Sequence, residues 1–147
     1  MNAVALGITD EGYDLQWEPK SDVIGKSDVY GDMTLDLIYR GTDWFFQTDF
    51  METKAGPLAA AYPWGALGVQ GIIGRLGSDV ATSLVLTSTT GTPAVATPAT
   101  LTATKPILAP GSNPNAQYNS RLRTMPVRFI LLPVDSGAGV IKNFTTT

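Results

Sequence analysis

The sequence predicts a mainly β protein, an antiparallel β-sandwich or partly closed barrel with one short flanking helix. Three observations predict this fold class. Apolar and polar residues alternate with a period of two in most segments that could form regular structure. Clusters of turn-forming residues separate those segments at distances typical of hairpins. Only one short segment has the residues of a helix. With 147 residues, the chain is expected to form a single domain over residues 1–147.

The first strands are predicted from alternation. Residues 13–18 place apolar side chains on one face and polar, mostly acidic side chains on the other. Residues 33–40 and 44–51 alternate in the same way, and the turn-forming sequence Gly41-Thr42-Asp43 lies between them. We therefore predict a β-hairpin over residues 33–51.

An extended loop is predicted at about residues 18–32, between the first strand and this hairpin. The segment is polar and rich in turn residues, but it is interrupted by the apolar pairs Val23-Ile24 and Val29-Tyr30. These pairs are either short strands of an extended hairpin or anchors that pack against something else. A long excursion from a compact domain is usually functional or disordered, and the apolar pairs favour a functional one.

The predicted helix lies within residues 54–64, where Pro57 suits a first turn and Pro63 ends the helix. Glycine then occupies every third position over residues 65–77. This spacing does not fit a dinucleotide-binding or phosphate-binding loop. We interpret the repeat as a tightly packed, sharply turned pair of strands.

Three further strands are predicted at residues 80–87, 100–109 and 121–133, and a final one at 140–147. Proline cannot donate a hydrogen bond to a neighbouring strand. Pro126 therefore indicates that the third of these strands has an edge position or a bulge.

The composition argues against catalysis, because the chain contains no cysteine and no histidine. It therefore lacks the thiolate nucleophile, the commonest general base and the commonest metal ligands. The remaining catalytic arrangement is a pair of carboxylates, Asp36 and Asp49, which could face each other across the predicted hairpin. Both lie on polar strand faces, so a solvated acidic face is the better interpretation. We expect no enzyme activity, no cofactor and no metal.

Charge is divided unevenly along the chain. Residues 1–50 contain ten carboxylates and three basic side chains, whereas residues 51–147 contain three carboxylates and seven basic side chains. Opposite charges on different surfaces favour head-to-tail self-association, unless the imbalance averages out on folding. The densest basic cluster is Arg121, Arg123 and Arg128. Its partner could be a phosphate, the acidic half of another copy, or carboxylates of the same chain.

Two segments resemble the tail tube proteins of bacteriophages: YPWGALGVQGIIGRLGSDVATSLVLTSTTGTPA, at 62–94, and KPILAPGSNPNAQYNSRLRTMPVRFILLP, at 105–133, together with the terminal FTTT. The shared features are a hairpin before a short helix with proline and tryptophan, a strand with LVLT, an ILAPG stretch before a long turn, and a strand ending in LLP. The resemblance implies a small β-sandwich that stacks as hexameric rings.

The resemblance also implies a function, that of a structural tail tube subunit in the virion. Its rings would conduct DNA without binding it specifically, through an acidic lumen for which Asp36 and Asp49 are candidates. The implied partners are further copies of the chain and other virion tail proteins. The expected location is the virion tail, or the host cytoplasm during assembly, without a membrane. Candidate inter-subunit contacts are Val23, Ile24, Val29, Tyr30, Arg121, Arg123 and Arg128.

Two alternatives remain open. A capsid decoration or head–tail connector protein would also be small and β-rich, but it would form trimers or one fixed ring. A stand-alone ligand-binding sandwich would be monomeric and would hold a carbohydrate with exposed aromatic residues such as Trp17, Trp64 or Tyr118.

Overall fold

A computed structural model of the chain describes residues 9–27, 33–51, 55–66, 68–87, 100–115 and 124–146. The elements in these residues are, in order, β1 (Thr9–Ser27), β2 (Met33–Phe50), α1 (Ala55–Ala61), α2 (Gly77–Val80), β3 (Leu84–Thr87), β4 (Thr100–Ala103), β5 (Pro106–Leu108), β6 (Met125–Leu131), β7 (Val134–Asp135), β8 (Ile141–Lys142) and β9 (Thr145–Thr146). All strand pairs are antiparallel. The mainly β prediction is confirmed, and so is the helix before Pro63. The short helix α2 was not predicted.

The strands form two packed sheets and a small ribbon. The larger sheet has the order β1-β2-β6-β5, the smaller one β3-β4-β9, and β7 pairs with β8. Because β1 and β5 are the ends of the larger sheet, it is open and not a closed barrel. Both sheets and α1 contribute to one core, as expected for a sandwich-like fold. The core consists of Phe46, Phe50, Ala61, Leu84, Leu101, Ala103, Met125, Val127, Phe129 and Leu131.

The predicted hairpin over 33–51 is wrong, because β2 is one strand from Met33 to Phe50. At the predicted turn the register shifts: Gly41 lies opposite Lys20, but Tyr39 lies opposite Ser21, which leaves Arg40 as the extra residue of a β-bulge. Gly41 has a φ of +131°, a conformation that glycine adopts readily. Turns and bulges use the same residue types, which explains the wrong prediction.

The predicted loop at 18–32 is corrected as well. Residues 18–27 are the second half of β1 and pair with β2. The apolar pair Val23-Ile24 therefore belongs to a strand of an extended hairpin, which was one of its two interpretations. Val29 and Tyr30 lie outside the described residues.

The glycine repeat does not form the predicted pair of strands. Its described residues make turns and bends that lead into α2. Because α2 extends to Val80, the strand predicted at residues 80–87 begins only at Leu84. Residues 100–109 and 140–146 each bend once, so that each segment supplies strands to two different sheets. Pro126 pairs with β2 on one side, whereas β5 pairs only with residues 129–131 of β6. At Pro126 the strand β6 therefore has a partner strand on one side only among the described residues, which is the predicted edge position.

Candidate assembly surface

The long β1–β2 hairpin has two chemically different faces. Residues that are directly opposite each other on paired strands point to the same side of a sheet. The observed register therefore sorts the side chains of the hairpin into two sets. One side, the charged face, carries Asp14, Glu18, Lys20, Asp22, Asp36, Asp43 and Asp49. The other side, the uncharged face, carries Tyr13, Leu15, Trp17, Val23, Leu37, Tyr39, Trp44 and Phe46.

The bulge keeps both acidic candidates on the charged face. Asp36 and Asp49 are thirteen positions apart, and in a regular strand an odd separation places side chains on opposite faces. Because Arg40 is an extra residue between them, Asp36 and Asp49 nevertheless lie on the same face. Arg40 itself is bound to Asp22 on that face, with 2.7 Å between Nε and Oδ2.

Asp36 and Asp49 cannot form a paired catalytic site. They lie on the same strand, and thirteen residues of extended chain span roughly 40 Å. Asp36 Oδ1 accepts a hydrogen bond from the backbone N–H of Leu37 at 2.7 Å. Within the described ranges, no group of three or more acidic, histidine or cysteine side chains is placed to hold a metal ion.

The outer half of the hairpin projects from the sandwich. The strand β2 pairs with β6 only at residues 45–50, so residues 21–27 and 33–40 pair only with each other. We call these two segments the arm. Seven residues of strand give the arm a length of about 20 Å. Both outer backbone edges of the arm lack a partner strand among the described residues, which is the arrangement that invites strand addition.

The arm exposes large apolar side chains on both faces. On the uncharged face, Val23 is 54% exposed and Leu37 56%, and Tyr39 is also exposed. On the charged face, Ile24 and Ile38 are exposed. A two-stranded ribbon is only marginally stable in water, and contiguous exposed apolar groups mark an interaction site.

The charged face is partly neutralised where it covers the sandwich. Arg128 Nη2 lies 3.2 Å from Glu18 Oε1, and Lys20 Nζ lies 2.5 Å from Asp43 Oδ2. Asp14 and Asp49 have no ion-pair partner in the part of the chain that the structure describes. Among the side chains that the structure describes here, four carboxylates therefore face two cations, and a net charge of −2 remains.

Arg128 is engaged within its own chain. Its guanidinium carbon lies 4.0 Å from the ring centre of Phe45, in addition to the ion pair with Glu18. Its Nε is buried and has no hydrogen-bond partner among the residues that the structure describes. This geometry favours the intramolecular alternative for Arg128 over a contact with another subunit. Arg121 and Arg123 lie outside the described residues.

A second apolar surface was missed by the sequence analysis. We call residues 69–76 the aliphatic loop, because four large side chains in it are exposed, with Ile73 at 94%. The four are Val69, Ile72, Ile73 and Leu76. The only signal in the sequence was the set of aliphatic residues between closely spaced glycines, which suits a series of turns as well as a pair of strands.

The aliphatic loop is held by defined contacts. The Tyr62 hydroxyl donates to the carbonyl oxygen of Val69 at 2.7 Å. The Arg75 N–H donates to the carbonyl oxygen of Ile72 at 3.3 Å, and Gly74 has a φ of +84°. This is the geometry of a type II turn with Ile73 and Gly74 at its centre.

Of the aromatic residues of the ligand-binding alternative, the two that the structure describes pack against different neighbours. Trp17 is exposed but packs against Trp44, with 5.7 Å between ring centres. Trp64 is half-buried beside Gly71 and Gly77. Tyr118 lies outside the described residues.

Comparison of the chain with protein-family models, with curated proteins and with solved structures finds no match. No helix in the described ranges is long and apolar enough to cross a membrane.

Proposed function

We propose that this protein is a structural virion protein, a tail tube subunit that assembles into stacked hexameric rings around a channel that conducts DNA. The observation that carries the proposal is the arm, a projecting ribbon whose two faces both expose apolar side chains. Such a ribbon is stabilised when a neighbouring molecule covers it.

The neighbour we propose is another copy. The uncharged face of the arm continues the face that is buried in the core at Phe46, with Trp44 in between. A neighbouring sandwich can therefore extend the same apolar layer past the end of one subunit. Contact between the arm of one copy and a different surface of the next is heterologous, and heterologous contacts produce rings or open stacks.

The channel lining we propose is the charged face over the sandwich. It keeps a net negative charge through Asp14 and Asp49, and fixed carboxylates repel the phosphates of passing DNA. Asp49 thus remains a lumen residue in this proposal. Asp36 lies on the arm, outside that surface.

The proposal is tested by electron microscopy and light scattering of the purified protein and two matched variants. Leu37→Asp puts a charge on the uncharged face of the arm, where assembly would bury it at high cost. Val85→Asp makes the same change on β3, at a side chain that is 57% exposed, against 56% for Leu37. We expect rings or tubes from the wild type and from Val85→Asp, and monomers from Leu37→Asp.

Thermal unfolding separates assembly from folding in this test. Both positions are exposed, so the monomer of each variant is expected to unfold within a few degrees of the other. A wild type that stays monomeric at high concentration contradicts the proposal. Discrete trimers would instead favour the capsid decoration protein.

A further inference from the structure

We infer that the aliphatic loop of one copy docks on the charged face of the arm of a second copy, where Arg75 pairs with Asp36. The inference rests on the proposed function, because it requires that the chain assembles with itself. It identifies the second surface that such an assembly needs.

One face of the arm is too small to hold two subunits together. A ribbon about 20 Å long and two strands wide offers about 200 Å² per face. A stable interface buries about 800 Å² on each partner. Covering the second face as well doubles the area that the arm contributes to about 400 Å², and the rest must come from the sandwich. The partner of that second face must fit a surface that is both apolar and charged.

The aliphatic loop is both apolar and charged, and its charge is positive. Ile72, Ile73 and Leu76 surround Arg75 in sequence, and all four residues are exposed. Residues 53–78 contain no carboxylate. Arg75 has no ion-pair partner among the residues that the structure describes, so its charge is available to a neighbouring molecule.

Among the side chains that the structure describes, the charged face of the arm combines exposed aliphatic groups with one carboxylate that has no ion-pair partner, Asp36. Ile24 lies directly opposite Asp36, and Ile38 is two residues further along the same face. Asp22 is already paired with Arg40. Asp36 has no ion-pair partner within the described ranges.

Charge selects contact between loop and arm over the symmetric alternatives. Two arms packed through this face would bring Asp36 against Asp36, and two loops would bring Arg75 against Arg75. Like charges in a desolvated contact are strongly unfavourable, whereas the mixed contact pairs them and buries both sets of aliphatic side chains. The favoured contact is heterologous, as stacked or ring-shaped assembly requires.

The test exchanges the two charges between chains. Arg75→Asp alone meets a native Asp36, and Asp36→Arg alone meets a native Arg75, so each contact becomes repulsive. We expect each variant to raise the concentration needed for assembly at least about tenfold. In an equimolar mixture the two chains can alternate, because Asp at 75 meets Arg at 36 and native Arg75 meets native Asp36. We expect the mixture to assemble, and likewise a single chain that carries both substitutions.

Matched controls make the same charge changes elsewhere. Lys142→Asp reverses an exposed cation on β8, and Asp14→Arg reverses an exposed carboxylate on the same hairpin face, over the sandwich. Both are expected to assemble like the wild type in light scattering and electron microscopy.

The outcomes separate the two proposals. If the wild type assembles but either single variant assembles equally well, or neither the mixture nor the double variant recovers, the inference is overturned while the proposed function stands. A wild type that does not assemble overturns both. Binding of wild-type monomer to anionic lipid vesicles, lost in Arg75→Asp, would assign the loop to a lipid surface and overturn docking on the arm.

Discussion

Gly71 lies so close to Trp64 that no side chain fits. A Cβ atom on Gly71 would be 2.7 Å from the carbonyl oxygen of Trp64 and 2.8 Å from its Cβ. The contact is with the main chain and the base of a side chain, so relief requires a backbone shift. We predict that Gly71→Ala lowers the free energy of unfolding by about 1–3 kcal/mol in urea titrations.

Gly65→Ala is the control for this prediction. The nearest atom to a Cβ at Gly65 is 3.7 Å away, which is ordinary van der Waals contact. We expect its free energy of unfolding to stay within about 0.5 kcal/mol of the wild type. Equal stability of the two variants would show that Gly71 has more space than the structure gives it.

At the scale of elements, the sequence indicated the strands better than their connections. Alternation places the apolar side chains of β2 at odd positions up to Tyr39 and at even positions from Trp44. Such a change of phase has two causes, a turn or a bulge, and local sequence cannot separate them because Gly41 suits both. The partner strand determines that a bulge forms and not a turn, since β1 pairs along the whole of β2.

The candidate surface was predictable only in part, for the same reason. The exposed pair Val23-Ile24 was identified from its apolar character in a polar segment. That both faces of the arm are exposed depends on where β6 stops pairing with β2, at Phe45, and this is a long-range property. The aliphatic loop was misread because a strand pair and a series of turns both accommodate closely spaced glycines.

The arm should differ from the sandwich in local stability. Its two strands pair only with each other, whereas β6 lies between two strands and contains the buried residues Met125, Val127 and Leu131. We predict that amide hydrogens of the arm exchange at least about a hundredfold faster than those of β6 in the monomer. In assembled protein the arm should become protected, while β6 changes little. Hydrogen exchange with mass spectrometry measures both, and an arm that is equally protected before and after assembly would argue against its role as a contact.

For the whole molecule, the uneven charge of the chain is only partly balanced by folding. Arg128, from the basic part of the sequence, returns to the acidic hairpin and pairs with Glu18. Asp14, Asp36 and Asp49 have no ion-pair partner in the described part of the chain. The charge imbalance is thus neutralised around Glu18 and remains at these three positions. The two proposals assign Asp14 and Asp49 to the lumen and Asp36 to the subunit contact.

The last prediction concerns the lumen. Asp14→Arg changes the charge of the charged face by +2 per subunit, and Asp14 is exposed and has no ion-pair partner among the residues that the structure describes. We predict that tubes of this variant form normally but retain short double-stranded DNA at low salt and release it as salt rises, because phosphate binding is electrostatic. Wild-type tubes should retain none. Co-sedimentation of labelled DNA with assembled tubes, across a salt titration, measures the difference.

Asp135→Arg is the matched control, since it makes the same charge change on β7, outside the hairpin. It removes one exposed hydrogen bond, from the Gly137 N–H, which costs about 1 kcal/mol or less. If both variants retain DNA equally, the binding follows net charge, and the charged face does not line the channel. Retention by Asp14→Arg alone is the result expected if the face that carries Asp14 and Asp49 lines the channel, because the added cations then lie along the path of the DNA.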